Sequence, residues 1–274
     1  MPWRPPSNDR FYRLIVRTGQ FLRLVLRLDI QATGLEHLPA KGPVTGASRR
    51  VVPGKGTVFA VTHFGYLDFA VLELLLWRHA RAQLRFLIHQ GAADHWLAGP
   101  AISASGHVVV GYTDRSDAYD AAVAKLRDGE YLAVFPEAGV SRSFTVRECR
   151  TGAVRMAAEA GVPVIPVSVW GSHRVLTRGH GFSLRRSWRA PIRVHVGAPM
   201  GFGAGGDVEA ATEMLRNTLQ SGIDHCIAGF PLDPEPGAWW MPADLGGSAP
   251  TEVERQLLDA ADAAAGRRRG PRPK

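Results

Sequence analysis

A chain of 274 residues, 45% apolar and 21% charged, can bury one or two cores and is too apolar to stay disordered. Its two cysteines, Cys149 and Cys226, cannot build a disulfide framework, and no Cys/His cluster has metal-ligand spacing, so a reduced protein without a metal is expected. The net charge of +8 sits in two arms, six arginines within residues 1–30 and Arg267, Arg268, Arg269, Arg272 and Lys274 at the other end, which leaves a nearly neutral body. A nucleic-acid enzyme carries basic charge along a groove in its body, so the distribution argues against nucleic acid and for an anionic membrane surface as partner.

Residues 10–29 have helical periodicity. Phe11, Leu14, Ile15, Phe21, Leu22, Val25 and Leu26 fall on one side, and Arg10, Arg13, Arg17, Arg23 and Arg27 on the other. Such a helix can lie in a membrane interface or pack on its own domain with a solvated basic face. The recurring arginines and the lack of a small-residue cleavage site argue against a secretory signal. The longest stretch without Asp, Glu, Lys or Arg, 95–113, is broken by glycines and Pro100, so no membrane span is expected. Pro39-Ala-Lys-Gly-Pro-Val44 is echoed at Pro53-Gly-Lys-Gly-Thr-Val58, which makes 45–52 a loop insertion ahead of the next strand.

The body then alternates. Strands are expected at 57–62, 85–88, 107–111, 131–135, 164–170 and 192–196, and helices at 69–81, 116–127 and 152–160. Continuous Val/Ile/Leu strands between helices predict an α/β layered fold around a largely parallel, mixed sheet flanked by helices. The expected organisation is an N-terminal amphipathic helix over 1–34, a catalytic domain over 35–230, and a Pro/Gly-rich segment, short helix and basic tail over 231–274. In such sheets, sites gather at the carboxyl ends of strands.

Two strand ends carry chemistry. After the first comes His63-Phe-Gly-Tyr-Leu-Asp68, in which Gly65 lets the chain fold back so that Asp68, in the first turn of a helix, can hold the His63 imidazole. That is a general base with its orienting carboxylate and no built-in nucleophile; a strand-end histidine beside a helix-capping aspartate is the plainer alternative. After the fourth comes Phe135-Pro-Glu137-Ala-Gly139-Val-Ser141-Arg142-Ser143, where Arg142 can grip a phosphate through paired N–H donors or simply pair with Glu137. Pro166, inside the strand Val164-Ile-Pro-Val167, is unusual for a central strand and is expected to shape the backbone.

This ordered set resembles the glycerolipid acyltransferase family, whose best-known members are 1-acyl-glycerol-3-phosphate acyltransferases, over roughly residues 10–230. The resemblance implies that His63 and Asp68 are catalytic, and that Glu137, Arg142 and an intermediate arginine, best matched by Arg115 in Gly106-His-Val-Val-Val-Gly-Tyr-Thr-Asp-Arg115, serve the acceptor phosphate. Ala138 stands where the family commonly has glycine, and two extra residues precede Ser141-Arg142-Ser143. The implied reaction is transfer of a fatty acyl group from acyl-coenzyme A or acyl carrier protein to the free hydroxyl of 1-acyl-glycerol-3-phosphate, giving phosphatidic acid with no bound cofactor or metal. His63 would be the base, and amides near Gly139 and Ser141 possible oxyanion donors. The implied location is peripheral, on the cytoplasmic face of the plasma membrane. Glycerol-3-phosphate or a lyso-aminolipid are alternative acceptors. From other classes, a serine-dependent lipid hydrolase and a non-catalytic lipid-surface protein compete. The hydrolase reading lacks the elbow glycine where Ser143 stands. His173 and His180 lack a third metal ligand, and Trp239-Trp240-Met241 is either an interfacial anchor or a loop folded over the core.

Overall fold

The computed structural model describes residues 9–39, 56–90, 107–111, 115–203 and 205–268. The loop insertion at 45–52 lies outside them, as do the last six residues of the basic tail. Among the described residues, seven strands form one sheet: β1 (Asp29–Thr33), β2 (Thr57–Val61), β3 (Leu84–His89), β4 (Val108–Val110), β5 (Tyr131–Val134), β6 (Val164–Trp170) and β7 (Pro191–Val196). They lie in the order β1-β7-β6-β2-β5-β3-β4. All neighbours run parallel except β6 and β7. Among the described residues the α-helices are α1 (Asp9–Val25), α2 (Asp68–Ala80), α3 (Arg115–Arg127), α4 (Gly152–Ala160), the single turn α5 (Leu184–Ser187), α6 (Val208–Ala228) and α7 (Glu252–Arg268).

Both faces of the sheet are covered, which is why its strands read as unbroken apolar runs. Successive side chains alternate. Val58 and Ala60 of β2 join Leu126 of α3, Met156 of α4 and Leu215 and Leu219 of α6 on one side, while Phe59 and Val61 join Leu72 and Leu76 of α2 on the other. Burying each such side chain contributes about 1.5–3 kcal/mol, so two apolar layers fix the sheet that carries the site.

Pro166 sits in β6 between β2 and β7, well inside the sheet. On the β7 side its missing N–H leaves the ladder one bond short, and the pairing is held by its neighbours and its own carbonyl. Val164, on the same edge of the strand, donates its N–H to Met200 (2.9 Å), and the intervening Gly197 donates to the Pro166 carbonyl (2.9 Å). Gly197 makes room for the ring, since a Cβ there would stand 2.7 Å from Pro166 Cγ.

Three elements depart from what the sequence alone suggests. Residues 29–33 are a strand paired with β7, so a boundary at residue 34 would cut into the sheet. The length of α6 was not anticipated; its buried residues Leu215, Leu219, Ile223 and Cys226 form one stripe among polar neighbours. The helix α1 packs by a different edge from the one its periodicity marks. Tyr12 and Val16 are buried against Leu74 and Trp77 of α2, whereas Leu14, Phe21, Leu22, Leu24 and Val25 are exposed. Trp240 and Met241 are buried, so that loop folds over the core.

The Tyr12 hydroxyl accepts the Leu84 N–H (3.0 Å) and is hydrogen-bonded to Glu73, whose carboxyl burial pushes up from 4.5 to about 7. Glu73 therefore holds its proton in the folded chain at pH values where the unfolded chain has lost it, and stability should fall as pH rises through that window. In denaturant titrations, the wild type should lose on the order of 3 kcal/mol relative to Glu73→Gln between pH 4.5 and 7. A constant difference between the two proteins would show that Glu73 is charged where it is buried.

Candidate active site

The carboxyl ends of β2, β5 and β6 meet at one place. Asp68 is the first residue of α2 and is fully buried. Its Oδ2 accepts the N–H groups of Phe64 and Gly65, each at 2.8 Å. Ser172 Oγ, from the turn after β6, donates to its Oδ1. His63 Nδ1 stands 3.4 Å from Oδ2. The aspartate thus turns back onto the loop before its helix and does not cap the N–H groups of α2, which rules out the plainer capping role. The positive end of α2 favours the charge at this position.

Gly65 lets the turn close. A Cβ there would fall 2.8 Å from the His173 N atom, so only glycine allows the β2 loop to lie against the β6 loop. The His63 ring stacks on Phe135 with centroids 4.0 Å apart. Held between Phe135 and Asp68, the imidazole keeps Nδ1 toward the carboxylate, and Nε2 makes no hydrogen bond among the described residues. The His63 side chain is 16% exposed, enough for a substrate to reach it.

Glu137 is turned inward, 2% exposed, and so does not meet an acceptor. Its Oε1 accepts the His63 N–H (2.8 Å) and its Oε2 the Arg147 N–H (3.0 Å). Burial pushes its carboxyl up to about 8 against the pull of those two N–H groups. It braces the backbone of His63. Ser141 N–H donates to the His63 carbonyl (2.8 Å), which removes it as an oxyanion donor. Ser141 Oγ is fully buried, bonded to Ser143 Oγ (3.0 Å) and the Thr145 carbonyl (2.9 Å). That hydroxyl is not a nucleophile, and the serine hydrolase reading fails on it. Gly139 N–H makes no hydrogen bond among the described residues and remains available.

Arg142 does not pair with Glu137. Its guanidinium meets Asp262 and Asp259 of α7. The side chain of Arg115, at the start of α3, lies outside the described residues. His173 is fully buried, with Nε2 against the Trp240 carbonyl (3.0 Å); burial drives it down to about 3, so it stays neutral. His180 stacks on Trp239. No group of three or more His, Cys, Asp or Glu among the described residues could hold a metal ion. The residue that sequence reasoning missed is Ser172. Its signal was its place two residues beyond β6, next to β2 in the sheet, but only the strand order shows that the two ends are neighbours.

A layered α/β sheet carrying a histidine and its orienting aspartate in one strand-to-helix turn, with no serine or cysteine nucleophile beside them among the described residues, suits activation of a hydroxyl on a bound partner. Residues 29–170, just over half of the chain, match the model of the Acyltransferase family, and the chain belongs to that family. It is 25% identical over 183 residues to a 1-acyl-sn-glycerol-3-phosphate acyltransferase of Chlamydomonas reinhardtii, with 65% of this chain and 53% of that protein covered. The chain thus spans about half the length of that relative. In fold it is similar to the crystal structure of PlsC, the 1-acyl-sn-glycerophosphate (LPA) acyltransferase from Thermotoga maritima. The TM-score is 0.60, with 19% identity and 81% of each chain covered.

The departure at Ala138 has a visible cost, because its φ of 54° is left-handed. A Cβ in that region costs roughly 1–2 kcal/mol, partly offset by the greater freedom of an unfolded glycine. Ala138→Gly should stabilise the protein by about 0.5–1 kcal/mol in urea titrations. A loss of stability would mean that the turn does not hold Ala138 in this conformation.

Proposed function

We propose that the protein transfers a fatty acyl group from an acyl thioester, on coenzyme A or acyl carrier protein, to the free hydroxyl of 1-acyl-glycerol-3-phosphate, making phosphatidic acid. The observation that carries the reading is the His63–Asp68 pair, with Nδ1 on the carboxylate and Nε2 unengaged at a partly open surface. The names of the two relatives support the choice of a lysophosphatidate acceptor over glycerol-3-phosphate or a lyso-aminolipid.

In the reaction, His63 Nε2 takes the proton of the acceptor hydroxyl as its oxygen attacks the thioester carbonyl. Asp68 steadies the imidazolium that forms, and the long 3.4 Å contact shortens as charge appears. The Gly139 N–H is a candidate donor to the developing oxyanion. Collapse breaks the C–S bond, and the departing sulfur takes the proton from His63. A thioester is electrophilic enough that no acyl-enzyme is needed, which accords with a Ser141 hydroxyl that is already spent.

The acceptor is an amphiphile, and the protein works on it peripherally, on an anionic membrane at its cytoplasmic face. Five apolar residues of α1 are exposed, Arg13, Arg17 and Arg23 share the helix, and Arg27 follows just beyond its end. No helix among the described residues is long and apolar enough to cross a membrane. Each arginine near an anionic surface is worth about 1 kcal/mol, and burial of the apolar residues adds a part that salt does not screen.

Two measurements test the proposal. Purified protein given acyl-coenzyme A and a panel of lysophosphatidate, glycerol-3-phosphate and lyso-aminolipid should yield phosphatidic acid by mass. His63→Ala should lose at least about 10²-fold in turnover while remaining folded; near-normal turnover would remove the mechanism. On vesicles containing anionic lipid, the pair Phe21→Ser/Leu24→Ser, which spares the buried Tyr12 and Val16, should weaken binding, and high salt should release the wild type only in part. Unchanged binding by the pair would end the membrane role of α1.

A further inference from the structure

The second half of the site lies against α7. Asp262 pairs with the guanidinium groups of both Arg142 and Arg178. Asp259 lies 3.3 Å from Arg178 Nη1, 3.4 Å from Arg147 Nη2, 4.0 Å from Arg142 Nε and 2.6 Å from Arg255 Nη1. Glu252 is the remaining carboxylate, paired with Arg255. The arginines of this cluster that come from the catalytic domain therefore converge on two aspartates three residues apart on one face of a helix.

Two of these arginines are anchored to the catalytic turn itself. Arg142 follows Ser141, whose N–H holds the His63 carbonyl, and Arg178 follows Thr177, whose hydroxyl donates to the Phe64 carbonyl. They also line a cavity of about 260 Å³ whose other walls include Phe144, Trp239 and Leu258. Guanidinium forks and an apolar wall suit an anionic headgroup carrying a chain.

What holds α7 in place is electrostatic. Arg255 is its only buried side chain among the described residues, and Val253 and Leu257 are exposed. The pairs of Asp262, itself 48% exposed, are the more solvated ones and are screened by salt, while those of Asp259 are partly buried. The guanidinium fork accepts a carboxylate or a phosphate alike, and a phosphomonoester carries about 1.5–2 negative charges at neutral pH, close to the charge of two aspartates.

We propose that Arg178 joins Arg142 in binding the acceptor phosphate, and that Asp259 and Asp262 fill this anion site in the resting protein, so that α7 lets go when a phosphomonoester arrives. The inference rests on the reading that the acceptor is a phosphorylated lipid alcohol. It adds to that reading a further binding residue and a helix that is exchanged for substrate.

The full chain tests it in two ways. In steady-state kinetics with a soluble short-chain lysophosphatidate, Arg178→Ala should raise the acceptor KM by about tenfold or more, as expected for a lost charge-assisted bond, and leave the KM for acyl-coenzyme A within about twofold. Asp259→Asn/Asp262→Asn should lower the acceptor KM severalfold. Independently of turnover, glycerol-3-phosphate, but not glycerol, should speed hydrogen exchange across residues 252–268 of the wild type. Exchange unchanged by glycerol-3-phosphate, or an acceptor KM unmoved in both Arg178→Ala and the Asn pair, overturns the inference. If Arg142→Ala alone raises that KM, the functional reading stands without it. If no phosphorylated acceptor is acylated at all, it is the functional reading that fails.

Discussion

A carboxylate buried without water is tolerated only when its lone pairs are filled, and Asp68 is filled from three directions. The Phe64 and Gly65 N–H groups, the Ser172 hydroxyl and the His63 ring all converge on it. Because these partners belong to the loops after β2 and β6, the aspartate ties two adjacent strand ends together. Removing any partner would leave a charge-assisted bond unmade, at roughly 1.5–3 kcal/mol. Orientation of the histidine is thus a by-product of satisfying a buried charge.

The rest of the site repeats the arrangement one layer out. Glu137, also buried, takes the N–H of His63 on one oxygen and that of Arg147 on the other, so the loop after β5 grips the same turn from the opposite side. Phe135 supplies the surface on which the imidazole lies flat. Polar groups that could have faced a substrate are used up in holding His63 still. The arginines at the rim, Arg142 and Arg178, take no part in bracing His63 and pair with the aspartates of α7.

Much of this was legible in the sequence, for physical reasons. The strands β2, β5 and β6 and the helices α2 and α4 announce themselves because burial on both faces demands unbroken apolar runs, and Gly65 and Pro136 mark the turns. His63 and Asp68 could be paired because both lie within one strand-to-helix turn. Ser172 could not be tied to Asp68, since the contact spans 104 residues and depends on β6 lying beside β2. Glu137 looked like a surface ligand because nothing in its neighbours says whether a turn points its carboxylate in or out. The pairing of Arg142 with α7 was hidden for the same reason: a polar helix with few apolar anchors does not reveal in its sequence what it leans on. The periodicity of α1 marks a stripe through Leu14, Phe21, Leu22 and Val25, all exposed, and the helix packs instead through Tyr12 and Val16.

The account depends most on Asp68 fixing the His63 imidazole with the proton on Nδ1 and a bare Nε2 toward the substrate. Nitrogen-15 NMR of histidine-labelled protein, with the His63 signal assigned by its loss in His63→Ala, reads that tautomer directly. In the neutral imidazole the wild type should show Nδ1–H with unprotonated Nε2, and Asp68→Asn should lose that preference. A wild-type His63 with the proton on Nε2, or a tautomer that Asp68→Asn leaves unchanged, would contradict the account.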